Sequence, residues 1–246
     1  FYELEALNAL AGFAALNPAA TFPLMNAESG ARFSGQALGH PLIEADNRIT
    51  NDFTLTGAGQ VVILTGSNMS GKSSFLRTLG VNLCLAYAGG PVLSTGFEAG
   101  MMRLFTSIRV SDSVQDGFSY FYAEVRRLKA LLNALRAADS APLFFLIDEI
   151  FRGTNNRERL LGSRAYIRAL VGGEGMGLIA THDLELVKLA EEDDRISNYH
   201  FRESIENGQI VFDYMLRTGP CPTTNALKIM ALEGLPVEDE TTVSSG

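Results

Sequence analysis

The chain has 246 residues, 46% hydrophobic and 20% charged, so it is long enough to bury a full core and its composition excludes a disordered or fibrous protein. Its 28 acidic and 20 basic residues give a net charge of −8, which disfavours strong non-specific attraction to DNA phosphates. The two cysteines, Cys84 and Cys221, fit neither a CxxC pair nor zinc-ligand spacing, and no apolar run is long enough to cross a bilayer. We therefore expect a cytoplasmic protein with reduced thiols and no membrane partner.

The first 47 residues are predicted to form a helix followed by a connector. Apolar residues recur at helical spacing from Leu4 to Ala14, and Asn17-Pro18 ends the pattern. Residues 18–47 are rich in Pro, Gly, Asn and Ala and have weak periodicity, which indicates an extended segment. Because the chain starts without methionine and within a helical pattern, we expect a fragment of a longer protein.

From residue 48 onward, predicted strands alternate with predicted helices. Apolar runs predict strands at 52–56, 61–65, 104–110, 142–147 and 177–181, of which the first two resemble a hairpin or two neighbouring strands. Helical periodicity predicts helices at 75–86, 121–135, 157–171, 184–192 and 224–233. Residues 197–204 and 209–216 flank the turn signal Glu206-Asn207-Gly208 and predict a hairpin. The pattern predicts an α/β fold: a mostly parallel sheet flanked by helices, with a small antiparallel β subdomain.

Residues 66–73 read Gly-Ser-Asn-Met-Ser-Gly-Lys-Ser and fit the pattern GxxxxGK[ST] between a buried strand and a helix, as a phosphate-binding loop requires. Backbone N–H groups of such a loop hold phosphate oxygens, Lys72 would bridge the β- and γ-phosphates, and Ser73 would ligate Mg²⁺. The alternative is a glycine-rich helix start without a ligand. The predicted nucleotide-binding residues are Gly66, Ser67, Asn68, Met69, Ser70, Gly71, Lys72, Ser73 and Ser74.

Acidic residues and a histidine follow two other predicted strands. Asp148 is suited to the Mg²⁺ shell, and Glu149 is suited to orient or deprotonate a water molecule. His182 follows the strand at 177–181, where an imidazole could sense a γ-phosphate. Because open α/β sheets bind ligands at the carboxyl ends of their strands, we expect these side chains to lie near the loop. The alternatives are a solvated turn for the acidic pair and a structural role for the histidine.

These motifs resemble those of the MutS family of DNA mismatch-recognition ATPases, a branch of the ABC-type ATPases, over residues 40–235. The loop is similar to the family's GPNMxGKST, with Ser67 in place of Pro and Ser74 in place of Thr. Residues 148–155 resemble the family's DE-L-G-RGT segment, and Ala180-Thr181-His182 resembles its ATH motif. The resemblance implies a P-loop NTPase of the ABC-ATPase type. Ile150-Phe151 replaces the family's Leu-Gly, and Arg48 stands where the family has an aromatic residue.

The resemblance also implies a nucleotide site shared between two subunits. Residues 116–124 are similar to the family's G-x-S-T-F-x-x-E signature, whose serine reaches the γ-phosphate bound by the opposing subunit, so Ser119 would act in trans. Ser119 could instead cap its own helix. Tyr214 falls where the family places an aromatic residue that stacks on adenine, and packing is the alternative role.

With the resemblance, the sequence predicts a Mg²⁺-dependent ATPase that forms a homodimer through its ATPase domains and controls DNA (mismatch) binding by domains outside this chain. Lys72, Glu149 and His182 would be its catalytic residues, Ser73 and Asp148 its metal ligands, and ATP and Mg²⁺ its ligands. Residues 1–47 would come from the upstream lever region, 48–236 would form the MutS-type ATPase domain, and 237–246 would be a disordered tail. We expect such a protein at the nucleoid.

Two other functions fit the same residues. One is another ABC-type ATPase, either chromosome-associated or a transporter subunit, although the transporter motif LSGGQ is absent from the sequence. The other is a nucleotide-gated dimerisation module that barely hydrolyses ATP, against which Glu149 argues. The basic clusters Arg126-Arg127-Lys129 and Arg157/Arg159 could contact DNA, but on helices we expect solvated faces or salt-bridge partners.

Overall fold

The computed structural model describes residues 1–108, 117–137, 141–151, 153–206, 209–222 and 236, with the backbone alone for 117–120. The α-helices of these residues are Tyr2–Leu16 (α1), Lys72–Tyr87 (α2), Gly117–Leu135 (α3) and Asn156–Leu170 (α4), and 3₁₀ helices lie at Ala27–Ser29, Ala45–Asn47 and Leu184–Glu191. The strands are Leu24–Met25 (β1), Arg32–Leu38 (β2), Asn51–Thr56 (β3), Val61–Thr65 (β4), Gly96–Ala99 (β5), Arg103–Ser107 (β6), Leu143–Asp148 (β7), Gly175–Thr181 (β8), Ile196–His200 (β9), Glu203–Glu206 (β10), Gln209–Phe212 (β11) and Arg217–Thr218 (β12).

The centre of this mixed α/β fold is a six-stranded sheet in the order β12-β9-β4-β8-β7-β6. Strands β9, β4, β8, β7 and β6 pair in parallel, and only β12 runs antiparallel to its neighbour β9. Every residue of β4, β7 and β8 is buried, as expected for parallel strands that are covered on both faces. The sequence prediction of a mostly parallel sheet therefore agrees with the structure.

Both faces of the central sheet are covered, one by α2 and a second, smaller sheet, and the other by α3, α4 and a 3₁₀ helix. The smaller sheet has the order β1-β5-β2-β3, and β2 pairs antiparallel with both of its neighbours. Alternate residues of β4 divide between two cores: Val62 and Leu64 pack with α2 and the smaller sheet, whereas Val61 and Ile63 pack with α3, α4 and the 3₁₀ helix Leu184–Glu191. The central sheet is thus covered on both faces. The predicted site residues lie at one edge of it, where the parallel strands have their carboxyl ends.

The packing of Phe33 on Phe144 joins the two sheets. Their rings are stacked with centroids 5.0 Å apart and an angle of 7° between the planes, and both side chains are fully buried. Replacing Phe144 with alanine is expected to lower the free energy of unfolding by about 3–5 kcal/mol, because the change leaves a cavity in the core. Urea unfolding followed by circular dichroism measures this loss. Phe22→Ala is the control: Phe22 is 71% exposed, so a loss equal to that of Phe144→Ala would contradict this description of the core.

The predicted connector at residues 18–47 contains a strand, β2, that lies between β5 and β3 in the smaller sheet. The register of β2 against β3 shifts between Gly35 and Leu38, and Ala37 within this bulge has a φ of 48°. Phe33 and Gly35 are buried before the bulge and Leu38 after it, so the alternation changes phase within seven residues. This phase change explains why the periodicity of the segment was too weak to predict the strand.

The first of two further predictions of strand pairing was wrong, and the second, the hairpin of residues 197–204 and 209–216, is confirmed only for β10 and β11. Strands β3 and β4 follow each other closely but belong to different sheets, since the chain crosses between the sheets at Gly57–Gln60. The predicted strand at 197–204 is two strands: β9 pairs with β4 in the central sheet, and β10 pairs with β11 in a hairpin. Strand β5 had not been predicted.

The remaining helices and segments agree only in part with the sequence. The predicted helix at 184–192 is a 3₁₀ helix, and none of the residues of α1 is buried within the described structure. The polar segment 111–119 is predicted to be a loop, but its residues from Gly117 onward belong to α3. Residues 111–116, the predicted helix at 224–233 and the predicted tail at 237–246 lie outside the described residues. Each helix of the described residues falls short, in length or in apolar character, of what crossing a bilayer requires.

Candidate functional site

Residues 66–71, here called the glycine loop, connect β4 to the first residue of α2. Gly71 has a φ of 106°, and a Cβ atom there would lie 3.1 Å from Cδ1 of Tyr214. A Cβ atom at Gly66 would lie 2.8 Å from the carbonyl oxygen of Phe201. Glycine at both ends therefore allows the loop to turn tightly beneath its neighbours.

Lys72 is enclosed by the glycine loop at the start of α2. Its side chain is only 6% exposed, and Nζ donates hydrogen bonds to the carbonyl oxygens of Gly66, at 2.8 Å, and Ser67, at 2.7 Å. The Ser70 hydroxyl donates to the same Ser67 carbonyl at 2.9 Å. The loop thus surrounds a cation at a helix N-terminus, a combination that favours an anionic ligand.

Ser73 and Asp148 come together from two different elements. Ser73 lies in the first turn of α2 and Asp148 ends β7, and the Ser73 hydroxyl donates a hydrogen bond of 2.7 Å to Oδ2 of Asp148. Asp148 is buried, so its carboxylate points into the protein and not into a solvated turn. The pair offers two oxygen ligands beside Lys72, as a magnesium site would require.

Glu149 and His182 form a second pair at the same edge of the central sheet. Nε2 of His182 lies 2.9 Å from Oε1 of Glu149. The N–H group of Glu149 donates to the carbonyl oxygen of Ala180 in β8, so the backbone continues the pairing of β7 with β8 by one residue. Glu149 has a φ of 62°, and this left-handed conformation turns the chain away from the sheet directly after Asp148. The imidazole therefore orients a carboxylate that is only partly exposed.

A cavity of about 610 Å³ adjoins these groups. The predicted residues that line it are Asn68, Met69, Ser70, Gly71, Lys72, Ser73, Ser74, Asp148, Glu149, His182 and Tyr214. Gly66 and Ser67 complete the glycine loop but are not among the lining residues. The structure thus brings the predicted side chains to one place, while their roles remain predictions.

Tyr214 lies over the end of the glycine loop and its position is fixed by residues that the sequence did not reveal. Its ring packs on Phe212, with centroids 6.0 Å apart and an angle of 27° between the planes. Nδ2 of Asn51 donates to the carbonyl oxygen of Tyr214 at 3.0 Å, and Oδ1 of Asn51 accepts from the N–H group of Leu216 at 2.6 Å. Asn51 therefore holds the segment that carries Tyr214 against the cavity.

Ile43, Ile49 and His40, which do not belong to the glycine loop, also line the cavity. The pKa of His40 is lowered by burial and, to a smaller extent, by the nearby charges of Arg77 and Arg48, so we expect a neutral imidazole at pH 7. The Arg48 guanidinium donates to the carbonyl oxygen of Ile43 at 2.9 Å through Nε, and Arg48 is not among the lining residues. The Arg48 guanidinium is thus held in a structural contact with the backbone, and isoleucine side chains provide apolar surface in the cavity.

The helix α3 carries the segment that resembles the G-x-S-T-F-x-x-E signature. Oε1 of Glu124 accepts a hydrogen bond of 2.9 Å from the N–H group of Phe151, so α3 is tied to the turn that follows Glu149. Ser119 lies in the first turn of α3, but its side chain, like Arg152 and the residues 109–116, lies outside the described part of the chain. The predicted action of Ser119 in trans thus stays a prediction.

Arg159 forms a bidentate ion pair with Asp183, the residue that follows His182. Nε and Nη2 of Arg159 donate to the two carboxylate oxygens of Asp183 at 2.9 and 3.0 Å. The pKa of Arg159 is raised, first by these hydrogen bonds and also by the charges of Asp183 and Glu149, against a smaller opposing effect of burial. The pair agrees with the expectation of a salt-bridge partner for this basic residue. Because Asp183 follows His182 directly, we infer that Arg159 holds the imidazole in place.

Replacing Arg159 with alanine is expected to lower the rate of nucleotide hydrolysis about tenfold, because the imidazole and Glu149 lose their fixed orientation. The affinity for nucleotide should change by less than about twofold, since the contacts of the glycine loop remain. Phosphate release and a binding titration measure the two quantities. Arg168→Ala removes an exposed ion pair with Glu192 from the same helix and is the control; equal effects of both changes would contradict a positioning role for Arg159.

Comparison with known proteins identifies the family. Residues 62–242 match the family model described as MutS domain V. The chain belongs to the MutS family. The DNA mismatch repair protein MutS of Chloroflexus aurantiacus is 34% identical over 208 residues, which cover 81% of this chain and 21% of that protein. The MutS protein of Erythrobacter litoralis is 34% identical over 205 residues, covering 80% and 23%.

A third relative, the DNA mismatch repair protein MutS 2 of Halobacterium salinarum, is 32% identical over 241 residues, which cover 95% of this chain and 27% of that protein. The MutS resemblance predicted from the motifs is confirmed. This MutS-family chain spans only about a fifth to a quarter of the length of the curated relatives it matches. The described α/β fold is compatible with MutS domain V.

Most of the residues that sequence reasoning missed lie far along the chain from the motifs, and only Phe75 and Thr78 closely follow the glycine loop, in α2. They line the cavity beside the predicted residues without belonging to any motif: Leu38, His40, Ile43, Asn47, Ile49, Asn51, Phe75, Thr78 and Phe201. The Gly39-His40-Pro41 sequence is the one local signal in this set, and it marks the end of the predicted connector. The others are ordinary core or loop residues whose contact with the glycine loop depends on the tertiary fold.

Proposed function

We propose that this chain is the ATP-binding and ATP-hydrolysing module of a MutS-type DNA mismatch repair protein, with the ABC-type arrangement that the motifs imply. The observation that carries the proposal is the meeting of Lys72, the Ser73–Asp148 pair and the Glu149–His182 pair at one edge of the parallel sheet. These groups supply a cation for phosphates, oxygen ligands for a metal ion, and a carboxylate for water. A structural role alone would not require all three around one cavity.

The cavity suits a nucleotide in shape and chemistry. Its volume of about 610 Å³ lies within the range usual for small-molecule sites. The glycine loop and Lys72 would bind the phosphates, and Ile43, Ile49 and Tyr214, which line the same cavity, offer apolar surface for a base. Lys72 would then exchange the carbonyl oxygens of Gly66 and Ser67 for phosphate oxygens.

The residues present also fit a magnesium ion bound together with the nucleotide. Within the described ranges there is no group of three or more His, Cys, Asp and Glu side chains that could hold a metal without other ligands. Mg²⁺ in nucleotide sites uses few protein ligands and takes the rest from phosphates and water, which is what the Ser73 hydroxyl and the Asp148 carboxylate allow. Bound there, the ion would offset negative charge on the phosphate oxygens.

In this proposal Glu149 and His182 promote the attack of a water molecule on the γ-phosphate. In the proposed reaction a water oxygen forms a bond to the γ-phosphorus, the bond to the β–γ bridging oxygen breaks, and the products are ADP and phosphate. Glu149 orients the water and accepts its proton, and His182 holds that carboxylate through the 2.9 Å contact. The backbone turn at Glu149 directs the side chain away from Asp148, so that one carboxylate serves the metal and the other serves the water.

The proposal includes a homodimer through the ATPase domains, with Ser119 of one copy reaching the nucleotide of the other. It also includes control of mismatch binding by DNA-binding domains outside this chain, and hence a place at the nucleoid. The names of the three relatives, all DNA mismatch repair proteins, support the DNA repair role. A second candidate is the nucleotide-gated dimerisation module of the sequence analysis, which would bind ATP with little hydrolysis.

The experiment that tests the proposal combines a nucleotide titration with phosphate release. We expect this chain to bind a fluorescent ATP analogue saturably and more tightly with Mg²⁺ than with EDTA. We also expect the rate of phosphate release per chain to rise with protein concentration as dimers form. Absence of nucleotide binding would contradict the proposal, and tight binding without phosphate release would assign the second candidate instead.

A further inference from the structure

A buried carboxylate lies against the glycine loop, outside the lining of the cavity. Glu203, the first residue of β10, is only 6% exposed, and its Oε2 atom accepts a hydrogen bond of 2.6 Å from the Ser67 hydroxyl. Neither Glu203 nor Ser67 is among the residues that line the cavity. The carboxylate therefore acts on the loop from behind and would not touch a bound nucleotide.

Ser67 links this carboxylate to Lys72. Its hydroxyl donates to Glu203, while its carbonyl oxygen accepts from Lys72 Nζ at 2.7 Å and from Ser70 Oγ at 2.9 Å. One residue thus separates a buried negative group from the cation that the proposed function assigns to the phosphates. Any change in the position or charge of Glu203 would act on the carbonyl oxygen that binds Lys72.

The hairpin formed by β10 and β11 keeps Glu203 in this place. Glu203 is paired with Phe212 across the hairpin, the Phe212 ring packs on Tyr214, and Tyr214 lies over Gly71. The open end of the hairpin therefore lies against the glycine loop, at Ser67 through Glu203 and at Gly71 through Tyr214. These contacts hold the carboxylate behind the loop.

A buried charge acts more strongly at a distance than an exposed one, because less water and salt screen it. The carboxylate of Glu203 attracts the Lys72 ammonium towards the position in which the loop carbonyls bind it. It also repels a phosphate tail bound on the cavity side of the loop, and this repulsion grows with the number of phosphate charges. The two effects act in the same direction, against nucleotide binding.

We propose that Glu203 is a positioning residue that sets nucleotide affinity: its negative charge, held behind the glycine loop by Ser67, weakens the binding of ATP more than that of ADP. The inference rests on the proposed function, since it requires that the loop binds phosphates.

The test compares three substitutions by titration with fluorescent analogues of ATP and ADP in the presence of Mg²⁺. Glu203→Gln removes the charge but keeps a carbonyl oxygen that can accept from Ser67, so Kd for the ATP analogue should fall about tenfold and Kd for the ADP analogue about threefold. Glu203→Asp keeps the charge and shortens the side chain, so both affinities should stay within about twofold of the parent. Glu206→Gln removes an exposed charge from the same hairpin and should also stay within about twofold.

Thermal unfolding of each variant establishes that it is folded, and Glu203→Ala, which also lacks the charge, carries the test if the glutamine variant unfolds. For Glu203→Gln and Glu203→Ala the measured quantity is the preference for ATP, which is the Kd of the ADP analogue divided by the Kd of the ATP analogue. Loss of a purely structural contact would not shift this ratio in favour of ATP, the more highly charged ligand. An unchanged preference in both variants overturns the inference, as does an equal shift in Glu203→Gln and Glu203→Asp. A parent chain that binds neither nucleotide overturns the proposed function itself, so the two failures are distinguishable.

Discussion

Replacing Glu149 with glutamine is expected to lower the rate of ATP hydrolysis by about a hundredfold or more, while ATP binding stays within about threefold of the parent. Glutamine has the shape of glutamate and can keep a hydrogen bond to His182, but its amide cannot accept the proton of the attacking water. The phosphate contacts that we propose for the glycine loop do not involve Glu149. Loss of hydrolysis with retained binding is therefore the signature of a general base.

Phosphate release under single-turnover conditions and a binding titration measure the two quantities for Glu149→Gln. The matched control is Glu174→Gln, because Glu174 is exposed and directly precedes β8, at the opposite end of the strand from His182. Equal hydrolysis rates for Glu149→Gln and the parent would remove Glu149 from the proposed mechanism. A slow rate in Glu149→Gln together with a large loss of affinity would assign Glu149 to nucleotide binding instead.

Replacing Lys72 with alanine is expected to weaken nucleotide binding roughly a hundredfold, because charge-assisted hydrogen bonds to phosphate are lost from a buried site. The carbonyl oxygens of Gly66 and Ser67, which Lys72 Nζ binds at 2.8 and 2.7 Å, would be left facing the phosphate tail. Two acceptors turned towards an anion oppose binding further. The effect should be larger for ATP than for ADP, since Lys72 is assigned to both the β- and the γ-phosphate.

The affinity of Lys72→Ala is measured by titration with Mg²⁺, and thermal unfolding separates loss of binding from loss of fold. The matched control is Lys188→Ala, because Lys188 is an exposed residue paired with Glu185 and lies outside the cavity. An affinity of Lys72→Ala within threefold of the parent would contradict the assignment of Lys72. Weaker binding in both variants would indicate a general effect of net charge rather than a contact with phosphate.

Strands β4, β7 and β8 of the central sheet were predictable because they carry their signal locally. The segments Val61–Thr65 and Leu143–Asp148 are short, apolar runs that end at a glycine or an acidic residue, and each is buried on both faces. The smaller sheet was not predictable in the same way. Its strand β2 contains a bulge that shifts the buried phase, and β5 has only four residues, so neither presents a run long enough for the period to be read.

The same distinction between local and long-range signals applies to the residues of the candidate site. Lys72, Asp148, Glu149 and His182 stand in contiguous motifs, and the parallel sheet brings the ends of β4, β7 and β8 together, so their meeting could be foreseen. The supporting contacts join residues distant in sequence: the bond from Asn51 to Leu216 spans 165 positions, and that from Ser67 to Glu203 spans 136. No spacing rule connects such residues, because their proximity follows from sheet order and not from local periodicity.

The left-handed backbone at Glu149 recurs two residues later at Phe151, and Ile150 between them is buried. Each such conformation of a residue other than glycine costs on the order of 1 kcal/mol, which the surrounding packing must offset. Glycine or asparagine would relieve that cost at either position. Selection for heat-resistant variants of this protein would therefore favour substitutions in the turn after β7, and at Glu149 such a substitution would remove the carboxylate that we propose activates water.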